Sequence, residues 1–144
     1  MDDGLSLAER IVDSAGDAVI FADQTGTIRR FNRAAEALFG FSAADALGQS
    51  LDLIVPEHLR SPHWRGFDAA MKTGALKLEG RPTLTRALHK SGRKLYVEMT
   101  FALVTADGKA SGAVAVARDV TERVERERAA QAGAPVSAAS GGSR

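Results

Sequence analysis

The sequence has no cysteine among its 144 residues. That absence excludes a disulfide framework, a thiolate zinc or iron–sulfur site and a cysteine nucleophile. It also excludes cysteine-adduct photochemistry. An excess of one charge is missing too: 19 Lys and Arg stand against 18 Asp and Glu, for a net charge of +1. A near-neutral chain gives no general reason to expect nucleic acid or an anionic membrane as a partner. No apolar run approaches the ~20 residues of a membrane helix, and stretches such as 113–117 are strand-sized. The start, Met1-Asp2-Asp3-Gly4, lacks the basic and apolar regions of a signal peptide. The expectation is a soluble, cytoplasmic protein without nucleic-acid or membrane partners. Catalytic patterns are missing as well. There is no Ser–His–Asp order with a nucleophile elbow, no phosphate-cradling glycine loop and no pair of glutamates at metal spacing. The chain does not read as an enzyme.

What is present fits one ordinary globular domain. The length lies in the common single-domain range of roughly 100–150 residues. A hydrophobic fraction of 44% suffices for a core without covalent staples. Leu5, Leu7, Ala8, Ile11 and Val12 recur at helical spacing, with Ser6 and Glu9 placed as a capping box and Gly16 as the stop. Residues 18–22 and 27–31 read as a strand hairpin around Asp23-Gln24-Thr25-Gly26. Asn32 caps a helix through Leu38 that Gly40 closes. A helical turn follows Ser42 and ends near Gly48. Leu51, Leu53, Ile54 and Val55 form an apolar knot up to Pro56. Ser61-Pro62 predicts a helix start with proline at the first position, running to Thr73 with Gly74 as its stop.

Strands follow. Residues 76–88 read as one long, irregular strand. Leu95, Val97, Met99 and Phe101 alternate with polar residues. Ala106-Asp107-Gly108-Lys109 is a hairpin turn before a last strand over 111–118. A final helix begins at Asp119 or Thr121 and is rich in Glu and Arg to Arg128. Segregated helices and strands imply an α+β fold with an antiparallel sheet. Residues 131–144 are Ala, Ser and Gly around one Pro, and are expected to be a disordered tail.

The run Gly26-x-Ile28-x-x-x-Asn32-x-Ala34-Ala35-x-x-Leu38-Phe39-Gly40-Phe41-Ser42, then Leu47-Gly48, resembles the first half of a PAS domain. Lys90-Ser91-Gly92-Arg93, Val97-Glu98, Asp107-Gly108 and Gly112 resemble its second half. Arg118-Asp119-Val120-Thr121-Glu122-Arg123 is similar to the exit motif that joins such a core to its output helix. The resemblance implies a five-stranded antiparallel sheet with several short helices on one face, enclosing a small cavity. It divides the chain into an amphipathic flanking helix (1–16), a PAS core (17–118), an exit helix (119–130) and the tail (131–144). It implies a bacterial regulator's sensory module, stand-alone or excised from a longer chain. Such a module binds a small ligand or cofactor and passes the signal to a protein output partner. The alternative is an interaction module that forms a homodimer through its N-terminal helix and the outer sheet face, with no cofactor.

The candidate sites follow from the same resemblance. Pro56-Glu57-His58-Leu59-Arg60-Ser61-Pro62-His63 resembles the stretch of oxygen-sensing haem PAS domains in which Arg-Ser-x-His ends in the axial ligand. This makes haem the leading cofactor candidate and His63 its iron ligand, since a neutral imidazole is a good ligand for iron. An Arg on the following strand lines the distal side in those sensors. Arg81 is its counterpart if residues 80–92 carry an insertion, and Thr83 if they do not. Trp64, Phe67 and Met71 share one helix face. Core packing explains that stripe, while Trp64 keeps a flavin redox sensor as a weaker alternative. The cysteine-dependent flavin photosensor is excluded. His58, His63 and His89 have no thiol or carboxylate cluster to complete a zinc site. Arg81, Arg86, Lys90, Arg93 and Lys94 read as a solvated strand face, with no interleaved aromatics for nucleic acid. Gly26 and Gly40 supply backbone freedom and Asn32 a helix cap. Asp119 and Thr121 cap the exit helix, and the resemblance adds signal transmission to that role.

Overall fold

The computed structural model describes residues 4–76 and 80–133. A five-stranded antiparallel sheet runs in the order β2-β1-β5-β4-β3, with short helices packed on one face. Its strands are β1 (Ala18–Asp23), β2 (Ile28–Phe31), β3 (Thr83–Leu88), β4 (Lys94–Ala106) and β5 (Lys109–Asp119). The helices are α1 (Leu7–Ser14), α2 (Arg33–Phe39), α3 (Ala43–Ala46), α4 (Glu57–Thr73) and α5 (Thr121–Gly133), with a tight helical turn at Leu51–Leu53. The α+β architecture expected from the sequence is therefore the one observed.

Alternation decides which face is which. Leu95, Val97 and Met99 are buried, while the alternating Tyr96, Glu98 and Thr100 are half-buried. On β1 the buried set is Ala18, Ile20 and Ala22. These inner residues join Phe31, Ala35, Phe39, Ala46 and Ile54 in one core. β1 pairs with β5 from Ala18↔Ala117 to Asp23↔Gly112, and β4 pairs with β3 from Thr83↔Met99 to Leu88↔Lys94.

The capping signals act as their chemistry dictates. Ser6 Oγ accepts from the Glu9 N–H at 3.1 Å, and the Glu9 carboxylate accepts from the Ser6 N–H at 3.2 Å. This is the reciprocal capping box at the start of α1. Gly40 ends α2 in the left-handed region at φ 83°, which glycine adopts without a Cβ penalty. A Cβ there would also press on the His89 ring.

Three boundaries differ from the sequence reading. Helix α4 begins at Glu57, so Pro62 lies inside it rather than at its first position. Pro62 has no N–H for the His58 carbonyl four residues back, but His58 is exposed and water can serve that carbonyl. The early start is anchored by Arg60, whose guanidinium donates to the Val55 carbonyl at 3.1 Å and the Asp52 carbonyl at 3.2 Å. The expected strand over 76–88 is regular only from Thr83, after a turn at Gly80 (φ 75°); residues 77–79 lie outside the described residues. Residues 131–133 of the expected tail extend α5 to Gly133, and residues 134–144 lie outside the described residues.

Candidate functional site

A cavity of about 360 Å³ lies between α4 and the inner face of the sheet. Its size falls within the range of small-molecule pockets, roughly 300–1,000 Å³. Ile20, Ile54, Leu59, Phe67 and Met99 supply apolar wall. Thr83 and Thr85 bring hydroxyl-bearing residues from β3, and His63 brings the imidazole from α4. His63 and Phe67 come from α4 and Thr85 from β3, two elements apart in sequence that wall the same cavity.

The late placement of Pro62 is what carries His63 into the cavity wall. With the helix starting at Glu57, His63 sits in its second turn rather than at a fraying end. Its ring stacks on Phe67 at a centroid separation of 6.1 Å and meets the Trp64 edge at 4.8 Å. His63 Nδ1 is buried and has no hydrogen-bond partner among the described residues. Burial lowers the pKa of the imidazole from its ordinary value, against the opposing pull of the Asp52 and Asp68 carboxylates. The ring is therefore held neutral, with a lone pair, in an apolar wall. A buried polar atom without a partner costs about 1–3 kcal/mol, and such groups in native proteins often mark a ligand or unseen water.

The other expected site residues divide between the cavity and its surroundings. Phe67 lines the cavity. Trp64 does not: its indole N–H donates to Asp52 Oδ1 at 2.8 Å and its ring covers Gly26. Gly26 (φ 79°) has no room for a Cβ beneath that ring. Arg81 is exposed in the segment before β3 and outside the cavity lining, whereas Thr83 lies within the lining. Among the described residues no group of three or more His, Asp or Glu could hold a metal ion.

Asn32 does more than cap a helix. Its Oδ1 accepts from the Ala35 N–H at 3.0 Å and the Val19 N–H at 2.8 Å. Its Nδ2 donates to the carbonyls of Val12 at 2.8 Å and Asp17 at 3.1 Å. One buried amide thus ties α1, β1 and α2 together. The signal available in sequence was the cap alone; the link to Val12 and Asp17 depends on tertiary packing.

At the exit, Asp119 Oδ1 accepts from the Thr121 N–H at 2.8 Å. Thr121 Oγ1 accepts from the Tyr96 N–H at 2.9 Å and donates to the Tyr96 carbonyl at 3.4 Å. The Val120 N–H donates to that same carbonyl at 2.8 Å. The start of α5 is therefore fastened to β4 as well as to the end of β5.

A sheet in this order, helices on one face and a cavity between them define a PAS fold. A family model described as PAS fold matches residues 12–125, and the chain belongs to that family. An uncharacterized protein of Azorhizobium caulinodans is 33% identical over 120 residues, which are 83% of this chain and 16% of that protein. The oxygen sensor protein DosP of Escherichia coli is 25% identical over 132 residues, again 83% of this chain and 16% of the relative. The chain thus spans about a sixth of the length of these relatives. The crystal structure of the PAS domain of a protein from Colwellia psychrerythraea superposes with a TM-score of 0.70 at 23% identity, covering 81% of this chain and 96% of that one. Among the described residues, no helix is long and apolar enough to cross a membrane.

Proposed function

We propose that the chain is a sensory PAS domain that takes haem into the cavity beneath α4, where His63 would hold the iron, with α5 as the output element. The observation that carries this reading is an imidazole, kept neutral by burial, in the wall of a largely apolar cavity. Similarity to the oxygen sensor protein DosP supports it. The donor set fits: haem needs one firm ligand from one side and apolar surroundings, and His63 with Ile20, Ile54, Leu59, Phe67 and Met99 supplies both.

Bound haem would supply an open coordination position for a diatomic gas and a one-electron redox centre. The chain's own residues do the rest. Phe67 and Trp64 fix the plane of the His63 ring. Burial keeps that ring unprotonated, so its lone pair is available at neutral pH. Ile54, Leu59 and Met99 give the cavity its apolar wall. Thr83 and Thr85 offer hydroxyls from the β3 side. Asp119 and Thr121 hold the first turn of α5 against β4, so a shift of the sheet is transmitted to that helix.

Trp64 is the single tryptophan and lies against His63, which makes it an internal reporter. Haem titrated into the protein should quench its emission with one-to-one stoichiometry. Emission that falls only in proportion to haem's light absorption would refute entry into this cavity. The dimerising interaction module remains the second reading, because Leu7 and Ile11 on α1 are 72% and 60% exposed. Sedimentation of Leu7→Glu/Ile11→Glu against wild type tests it; an unchanged mass removes the α1-mediated dimer.

A further inference from the structure

Helix α5 is weakly anchored by apolar contact. Val120 just before it and Val124 within it are buried, but every residue from Glu125 to Gly133 is exposed. Its distal half nonetheless reaches the sheet through Arg128. The Arg128 guanidinium carbon lies 4.9 Å from the centroid of the Tyr96 ring. Arg126, two residues earlier, is committed elsewhere, to Glu122 at 2.9 Å.

The same ring has a second neighbour. Arg86 pairs with Tyr96 across β3 and β4, and its guanidinium carbon is 6.0 Å from the ring centroid. Arg86 itself borders the cavity, as do its neighbours Thr85 and Ala87. Tyr96 also provides the main-chain N–H and carbonyl that hold Thr121 and Val120. The backbone of one residue thus fastens the first turn of α5, while its ring meets the distal half. A cation over an aromatic face is attracted by the ring quadrupole within about 6 Å.

From this arrangement we infer that Tyr96 is a positioning residue that docks α5 on the sheet, and that its ring, shared by Arg128 and Arg86, links this docking to the β3 wall of the cavity. The inference rests on α5 being the output element, as proposed above. Displacement of β3 moves Arg86 relative to the ring that Arg128 uses, and so changes how firmly the distal half of α5 is held. Tyr96 bears on where the helix sits, not on binding of a ligand.

Hydrogen exchange of the full chain, read over residues 121–133, tests this. Tyr96→Leu and Arg128→Gln should each raise exchange there about two- to fivefold, the value of one exposed cation–π contact. Tyr96→Phe keeps the aromatic face and should exchange like wild type. Arg86→Gln should have a smaller effect that disappears in the Tyr96→Leu background. Wild-type exchange in Tyr96→Leu overturns the docking role. A rise spread equally over β4 and β5 overturns it too, since Tyr96 would then act on global stability. An undiminished effect of Arg86→Gln in the Tyr96→Leu background overturns the link to β3. Exchange in α5 that responds to Tyr96 but not to added haem leaves the docking intact and refutes the output reading.

Discussion

Replacing Asn32 by Ala should be the most damaging single side-chain deletion outside the apolar core. Asn32 is 3% exposed and its amide satisfies both acceptor and both donor positions. Loss of a helix cap costs about 1 kcal/mol. The Val19 N–H and the Asp17 carbonyl then lose their amide partner at part-buried positions, at about 1 kcal/mol each. The Val12 carbonyl is hurt less, because it also accepts from Ala15 N–H at 3.3 Å. The sum is about 3–4 kcal/mol, a large share of the roughly 5–15 kcal/mol that holds a domain together. Urea unfolding followed by circular dichroism should show the midpoint falling with an unchanged slope, and Tm falling by about 10 °C. Asn32→Ser should recover about 1 kcal/mol by restoring the cap to Ala35 alone. A loss below about 1 kcal/mol for Asn32→Ala would refute the claim that this amide joins three elements, and would leave only a replaceable cap.

The remaining predictions concern the cavity wall and its support. Because burial depresses the His63 pKa, the unfolded chain binds a proton more readily than the folded one. Stability should therefore fall as pH drops below about 6.5, the ordinary histidine value, and His63→Phe should flatten that slope in urea titrations between pH 7 and 5. An unchanged slope would show that His63 is not held neutral by burial. Gly26→Ala should cost about 2–4 kcal/mol, from the left-handed backbone and from overpacking against the Trp64 ring. Removing the ring in Gly26→Ala/Trp64→Leu should relieve the overpacking part, giving non-additive losses by thermal unfolding; strictly additive losses would contradict the contact.

The sequence showed local chemistry well and long-range geometry poorly. The capping box of Ser6 and Glu9, the caps at Asn32 and Gly40, and the alternation of Leu95, Val97 and Met99 are all set within a few residues, and each was legible. The start of α4 was not. Proline suggests a first helical position, yet tertiary hydrogen bonds from Arg60 to the Asp52 and Val55 carbonyls hold a turn of helix before it. That displacement matters, because it moves His63 from a fraying end into a cavity wall. The choice between Arg81 and Thr83 likewise needed the register of β3 on β4, which places Thr83 opposite Met99. Trp64 and Phe67 share a helix face in the sequence, but only Phe67 reaches the cavity, since the space over Gly26 draws the indole aside. The shared ring of Tyr96 left no trace in the sequence, because Arg86, Tyr96 and Arg128 come from three elements with no common motif.

The central claim is that His63 presents its lone pair to a haem in this cavity. The visible spectrum of the haem-reconstituted chain tests it most directly, recorded for wild type and for His63→Ala with and without added imidazole. Wild type should show a strong Soret band, which His63→Ala should lose or markedly shift and which free imidazole should restore by filling the space left behind. A wild-type chain that stays colourless with excess haem, or a His63→Ala spectrum indistinguishable from wild type, would contradict it.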